Sequence, residues 1–252
     1  MPGDEMFAGL LGFALVLTRI SAFFLVLPVF GWKSIPVQIK VAAVILLSLF
    51  FYWIKPPAAS VRDASLLMAV LMLAAEATYG LALGLIIALL FSIVQLSGRI
   101  VEQQMGLTMA EIIDPLTESE TSPFPSLLEM IFVLLFLSAN GHHLFLLVLS
   151  RSYDVFPSGT TPTIATLAGG VVSTSTAMFL ASLRLAAPML AAFLLLMVAL
   201  AMLARLVPEM DILFITMPVR IALGLFLSAA FLPFINSFVA EMADWMVKLL
   251  PI

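Results

Sequence analysis

Apolar residues run in six blocks along this chain, near 6–30, 41–54, 64–98, 127–150, 163–204 and 212–240, with thinly charged connections between them. A helix crossing the hydrocarbon core of a bilayer needs about 20 residues at about 1.5 Å rise each. Blocks 6–30 and 127–150 each fit one such span. Block 41–54 is too short, because Lys55-Pro56-Pro57 stops it. Blocks 64–98 and 163–204 are too long for one ordinary span. The second is expected to be a helical hairpin turning near Gly169-Gly170, or two helices meeting near Pro188. No internal repeat and no soluble domain is visible, so residues 1–252 read as a single membrane-embedded domain. The expected fold is all-α, a bundle of long kinked helices and helical hairpins.

One connection breaks the pattern. From Gln104-Met105-Gly106 through Leu107, Met109, Ile112, Ile113, Asp114 and Pro115 to Ser122-Pro123-Phe124-Pro125 the chain is half apolar, yet Gly106 and the prolines deny it a continuous helix. A loop of about 20 residues without structure of its own is functional or disordered in most proteins. The apolar content argues against plain disorder. Two readings stand: a segment that fills or gates a space, and a solvated acidic connector carrying Glu111, Asp114, Glu118 and Glu120.

Composition places the chain in the membrane. Hydrophobic residues make up 63% of 252 and charged residues 10%, with a mean hydropathy of +1.20. Soluble domains typically have about 45–50% apolar and about 25% charged residues. A pI near 5.1 and a net charge of −4 offer no basic stripe for nucleic acid. Without cysteine there is no disulfide, thiolate metal site or cysteine nucleophile. Met1-Pro2-Gly3-Asp4-Glu5 lacks the positive start of a signal peptide, so the first apolar block is expected to be retained as a helix. Lys and Arg are spread too evenly over the connections to orient the chain.

Three charges lie inside apolar blocks: Arg19, Glu76 and Arg184. A charge at mid-bilayer costs a few kcal/mol, so it faces protein or water. These three could line a conduction path or make interhelical or intersubunit ion pairs. The absence of a second carboxylate for a relay favours pairing, with Glu76 taking one of the arginines. Gly80-Leu81-Ala82-Leu83-Gly84 is a GxxxG, a spacing that allows close helix approach but is common in apolar helices. His142 and His143 are the only histidines. Adjacent residues face different sides of a helix and a zinc site needs a third ligand, so Asn140-Gly141-His142-His143 reads as a polar turn ending the preceding helix. No GxSxG, HExxH, Walker or GxGxxG motif occurs, and no cofactor is implied. Conduit, scaffold and carrier remain.

Four segments resemble the flagellar export-gate family FliR, which has counterparts in virulence type III secretion. They are Arg19 with Pro28-Val29-Phe30-Gly31 and Pro36; Gln104-Met105-Gly106 with Asp114-Pro115; Leu134 to His142, reading LLFLSANGH; and Arg205-Leu206-Val207-Pro208 with Pro218 and Gly224. Asp211 departs from the asparagine expected there. The resemblance implies a non-enzymatic subunit of the flagellar basal body in the bacterial inner membrane. It implies a single copy assembled with P-type and Q-type export-gate membrane proteins, and with further export-apparatus membrane proteins, around a pore for unfolded protein substrates. It also implies that the central loop, about 106–125, plugs the closed pore, with Met105, Gly106, Leu107, Met109, Ile112, Ile113, Asp114 and Pro115 as the plug residues. A virulence export gate and a small-molecule or ion carrier are the alternatives, with an intramembrane hydrolase centred on His142 and His143 as a third.

Overall fold

The computed structural model describes residues 2–28, 35–55, 65–107, 123–160, 163–207 and 216–230. They form helices and contain no strand: α1 (Pro2–Val26), α2 (Val37–Ile54), α3 (Leu66–Met105), α4 (Pro123–Ser138), α5 (His142–Val155), α6 (Ile164–Leu206) and α7 (Thr216–Ala230). Four are long and apolar enough to cross a membrane: Met6–Val26 within α1, α2, α3 and α6.

Block 41–54 is therefore longer than its apolar core suggested. Pro36, at φ −55°, sets the chain for a helix start, and its carbonyl accepts the Ile39 N–H at 3.0 Å, so α2 begins at Val37 and reaches 18 residues. It stops at Lys55 because Pro56 disfavours a helical residue before it. Block 127–150 is two helices bent by 72° at a short break, which together are long and apolar enough for one broken span. Asn140, at φ 60°, ends the run, and His143 and Leu144 donate back to Asn140 and Gly141 to open α5. The Asn140–His143 turn thus falls between helices, with both histidines starting the next one.

Block 163–204 is neither a hairpin nor two helices. α6 runs 43 residues through Gly169, Gly170 and Pro188. Pro188 removes one backbone bond, which an otherwise uninterrupted run of alanine, leucine and methionine tolerates in an apolar setting. α3 likewise continues for 40 residues. Several serine and threonine hydroxyls inside the helices are satisfied locally. Those of Thr18, Ser48, Thr78, Thr174 and Ser228 donate to the carbonyl four residues back, at 2.6–2.8 Å.

The chain divides into two compact units. Among the described residues, the first comprises those up to Leu90 and from Asn140 to Thr176, and the second those from Phe91 to Ala139 and from Ala177 onward. In the first, Leu11 and Leu15 of α1 pack on Ala69 and Met72 of α3, and Phe13 meets Tyr52 of α2 edge to face. The same α1–α3 seam closes most tightly at Gly80 and Gly84. A methyl on Gly80 would lie 2.3 Å from the Arg19 carbonyl oxygen, and one on Gly84 2.7 Å from that of Phe23. The second unit has its own aromatic core, where Phe91 packs against Phe132 and Phe136 at centroid distances of 5.4 and 5.0 Å. Gly98 lets α3 approach Pro125 and Leu128 of α4.

Candidate functional site

Within the first unit, the glycine seam brings Arg19 of α1 directly over Glu76 of α3. Both are fully buried. The guanidinium grips the carboxylate with two parallel bonds, Nε to Oε2 and Nη2 to Oε1, the latter at 3.0 Å. This fork geometry is open to arginine and closed to lysine. Nη1 donates to the Phe156 carbonyl at 2.9 Å and to the Ser152 carbonyl at 3.3 Å. On the far side of the pair, Oε1 accepts the backbone N–H of Gly159 at 2.9 Å. Gly159 can aim that N–H because it sits at φ 93°, a region open to glycine. Tyr79 and Tyr153 lie against the guanidinium, their ring centroids 4.7 and 4.3 Å from its carbon.

One ion pair thus ties α1, α3, the end of α5 and the turn at 156–159. Every oxygen of Glu76 already accepts a hydrogen bond from a fixed donor. The chemistry on offer is a clasp. A nearby exposed pair, Lys55 with Asp154, links the end of α2 to α5 and contributes at most about 1 kcal/mol.

Arg184 does not join this cluster. It lies on an exposed position of α6 and makes no ion pair among the described residues. Glu76 takes Arg19 because the glycines place α1 there, and charge alone had left the choice between the arginines open. Sequence reasoning missed the tyrosines and the Gly159 turn, for which the only advance signal was the sequence Phe156-Pro157-Ser158-Gly159.

The Tyr79 hydroxyl is buried and has no hydrogen-bond partner among the described residues. A buried unsatisfied hydroxyl costs about 1–3 kcal/mol. Tyr79→Phe keeps the ring on Arg19 and removes that cost. We expect it to leave the amount of membrane-inserted protein unchanged or raised, read by quantitative blotting, and a fall would show that the hydroxyl has a partner in the assembled protein.

Of the central segment, Met105, Gly106 and Leu107 are described, while Met109, Ile112, Ile113, Asp114 and Pro115 lie outside the described residues, as does Asp211. In the second unit, Met105 is fully buried as the last residue of α3, and Gly106 closes the helix at φ 79°, its N–H donating to the Glu102 and Gln103 carbonyls at 3.1 and 3.2 Å. α7 holds this end in place. The bare Cα of Gly224 makes room for the Met105 side chain, where a methyl would lie 2.5 Å from its Cγ, and Met217 lies against Gly106.

His142 and His143 stand side by side and exposed, ring centroids 4.4 Å apart. Among the described residues, no three His, Cys, Asp or Glu side chains gather where they could hold a metal.

These features define an all-α integral membrane protein in which buried Arg19 and Glu76 are locked into a clasp between helices. The chain belongs to the bacterial export proteins, family 1, whose family profile matches residues 10–246. It is 30% identical over 220 residues to the flagellar biosynthetic protein FliR of Bacillus subtilis, covering 84% of this chain and 82% of that protein. It is 28% identical over 236 residues to FliR of Escherichia coli, covering 93% and 89%. To the Yop proteins translocation protein T of Yersinia pestis it is 29% identical over 232 residues, covering 89% and 87%.

Proposed function

We propose that this chain is a subunit of the type III protein export gate that serves flagellum assembly in the bacterial inner membrane. In this reading it joins P-type and Q-type membrane proteins, as a single copy, around a pore for unfolded substrates, and segment 106–125 plugs that pore at rest. The observation that carries the reading is the family match along nearly the whole chain, with flagellar relatives covered over most of their length. Much apolar helix surface also needs cover. Only 11% of the apolar window of α2 and 17% of that of α6 is buried within the chain. The similarity to a Yop translocation protein keeps a virulence export gate as the second reading. A proton or ion carrier is less well supported, because Glu76, the carboxylate such a carrier would use, is held by three fixed donors.

Physical necessity motivates the plug. An empty pore wide enough for an unfolded chain would leak ions, so a resting pore needs filling. Leu107, Met109, Ile112 and Ile113 can supply it, and methionine adapts to irregular gaps. Gly106 provides a fixed start, because the helix end before it is anchored, while Pro115 would close the segment. The filling has to be marginally stable, since a substrate must displace it.

Deleting residues 107–113 is therefore expected to leave assembly largely intact while making the membrane permeable to small ions. A pair of cysteines tethering the loop should block export until reduced, and this cysteine-free chain makes that test clean. A deletion strain that stays ion-tight and exports normally would reduce the segment to an ordinary connector. Motility rescue against virulence-secretion rescue separates the two export systems.

A further inference from the structure

We propose, on the export-gate reading, that Arg184 and the turn after it form a docking notch for a partner subunit's helix, one carrying an aspartate or glutamate within an otherwise apolar run. Arg184 is exposed and, among the described residues, has no ion-pair or hydrogen-bond partner. The 20 residues on either side of it, 164–183 and 185–204, carry no charge. A cation at the centre of so long an uncharged run needs a counter-charge wherever water is excluded. What excludes water here is protein. Lipid cannot cover α6 along its length, because 43 residues extend about 64 Å against a hydrocarbon thickness of about 30 Å. Exposed apolar side chains nevertheless lie on both sides of Arg184, with Val172, Phe179 and Leu180 before it and Leu194, Leu195 and Val198 after it.

Pro188 adds a second, independent feature. It has no N–H, so the Arg184 carbonyl, four residues back, loses its helical donor. One turn of α6 therefore presents both a cation and a freed acceptor. Arg184, Ala187, Pro188 and Ala191 share one helix face, and all four are exposed. The two alanines project little, so a partner backbone can come close there, as small residues allow between membrane helices. A carboxylate on that helix takes the guanidinium in a two-bond fork, the geometry that arginine and a carboxylate share. A hydroxyl or amide near it on the same helix donates to the freed carbonyl.

The test uses the full chain in its assembled complex, carrying Arg184→Lys, which keeps the charge and supplies an amine. Dicyclohexylcarbodiimide joins an amine to a carboxylate in contact with it, forming an amide and taking up the lost water as its urea. Mass spectrometry of the digest should show position 184 joined to an aspartate or glutamate of another subunit. Arg184→Glu alone should lower the recovered complex several-fold, and a lysine at the mapped partner position should restore most of it. A complex of P-type and Q-type proteins with no adduct at 184, or with an adduct to this chain's own carboxylates, overturns the pairing and leaves the export-gate reading standing. An adduct to a membrane protein of another kind keeps the pairing and overturns that reading. If Arg184→Lys fails to assemble, phenylglyoxal, which modifies arginines open to water, reads the unaltered complex in detergent. Arg184 should react several-fold more slowly there than after dissociation in dodecyl sulfate, and equal rates overturn the proposal.

Discussion

Glu76→Gln is expected to cut the amount of correctly assembled protein steeply, while each complex that does assemble exports at the normal rate. Glutamine has the shape of glutamate but presents an amide NH2 where two donors, Arg19 and the Gly159 N–H, already converge. The substitution leaves a fully buried guanidinium without its counter-charge. Removing one partner of a buried ion pair costs about 3–5 kcal/mol, enough to overwhelm the margin of most domains. Arg19→Lys should lose less, because the charge remains although the fork does not. The double substitution Arg19→Leu with Glu76→Leu should recover much of the loss, since an apolar pair of similar volume leaves no uncompensated charge. The measurement is export normalised to the amount of intact complex. A Glu76→Gln complex that assembles at wild-type levels yet exports nothing would give Glu76 a part in transport instead of packing.

Gly80→Ala is expected to be equally severe by a different route. The added methyl would fall 2.3 Å from the Arg19 carbonyl oxygen and 3.1 Å from its carbon. Those are backbone atoms of a helix and cannot step aside, so α1 and α3 must separate. Separation pulls Arg19 away from Glu76, and the clasp loosens with the seam. Gly84→Ala, at 2.7 Å from the Phe23 oxygen, should follow the same course. Gly169→Ala is the control. Nothing lies within 4 Å of a methyl there, and alanine favours a helix over glycine by about 1 kcal/mol. Protein levels after membrane extraction should fall sharply for Gly80→Ala and hold or rise for Gly169→Ala. Equal levels for the two would mean that the α1–α3 seam opens without consequence.

The sequence by itself determined the solvent and the class of element. Its long uncharged blocks can satisfy their backbone polar groups in lipid as helices without outside partners, and that depends on composition and spacing alone. It also set several helix ends, where a proline or glycine acts within a residue or two: Pro36 before α2, Gly106 after α3, and the Asn140-Gly141 break. The half-apolar central segment was legible for the same local reason. What only the tertiary structure decided is which distant groups meet. Glu76 lies 57 residues from Arg19 along the chain, and both arginines offered it the same charge. The choice fell to Gly80 and Gly84, whose spacing looked commonplace until α1 was seen resting on them. The continuity of α6 through Pro188 was likewise beyond local reading, because a proline breaks or merely interrupts a helix according to what surrounds the carbonyl it frees. Close approach of backbones is a property of two helices at once, so it is written in neither stretch of sequence alone.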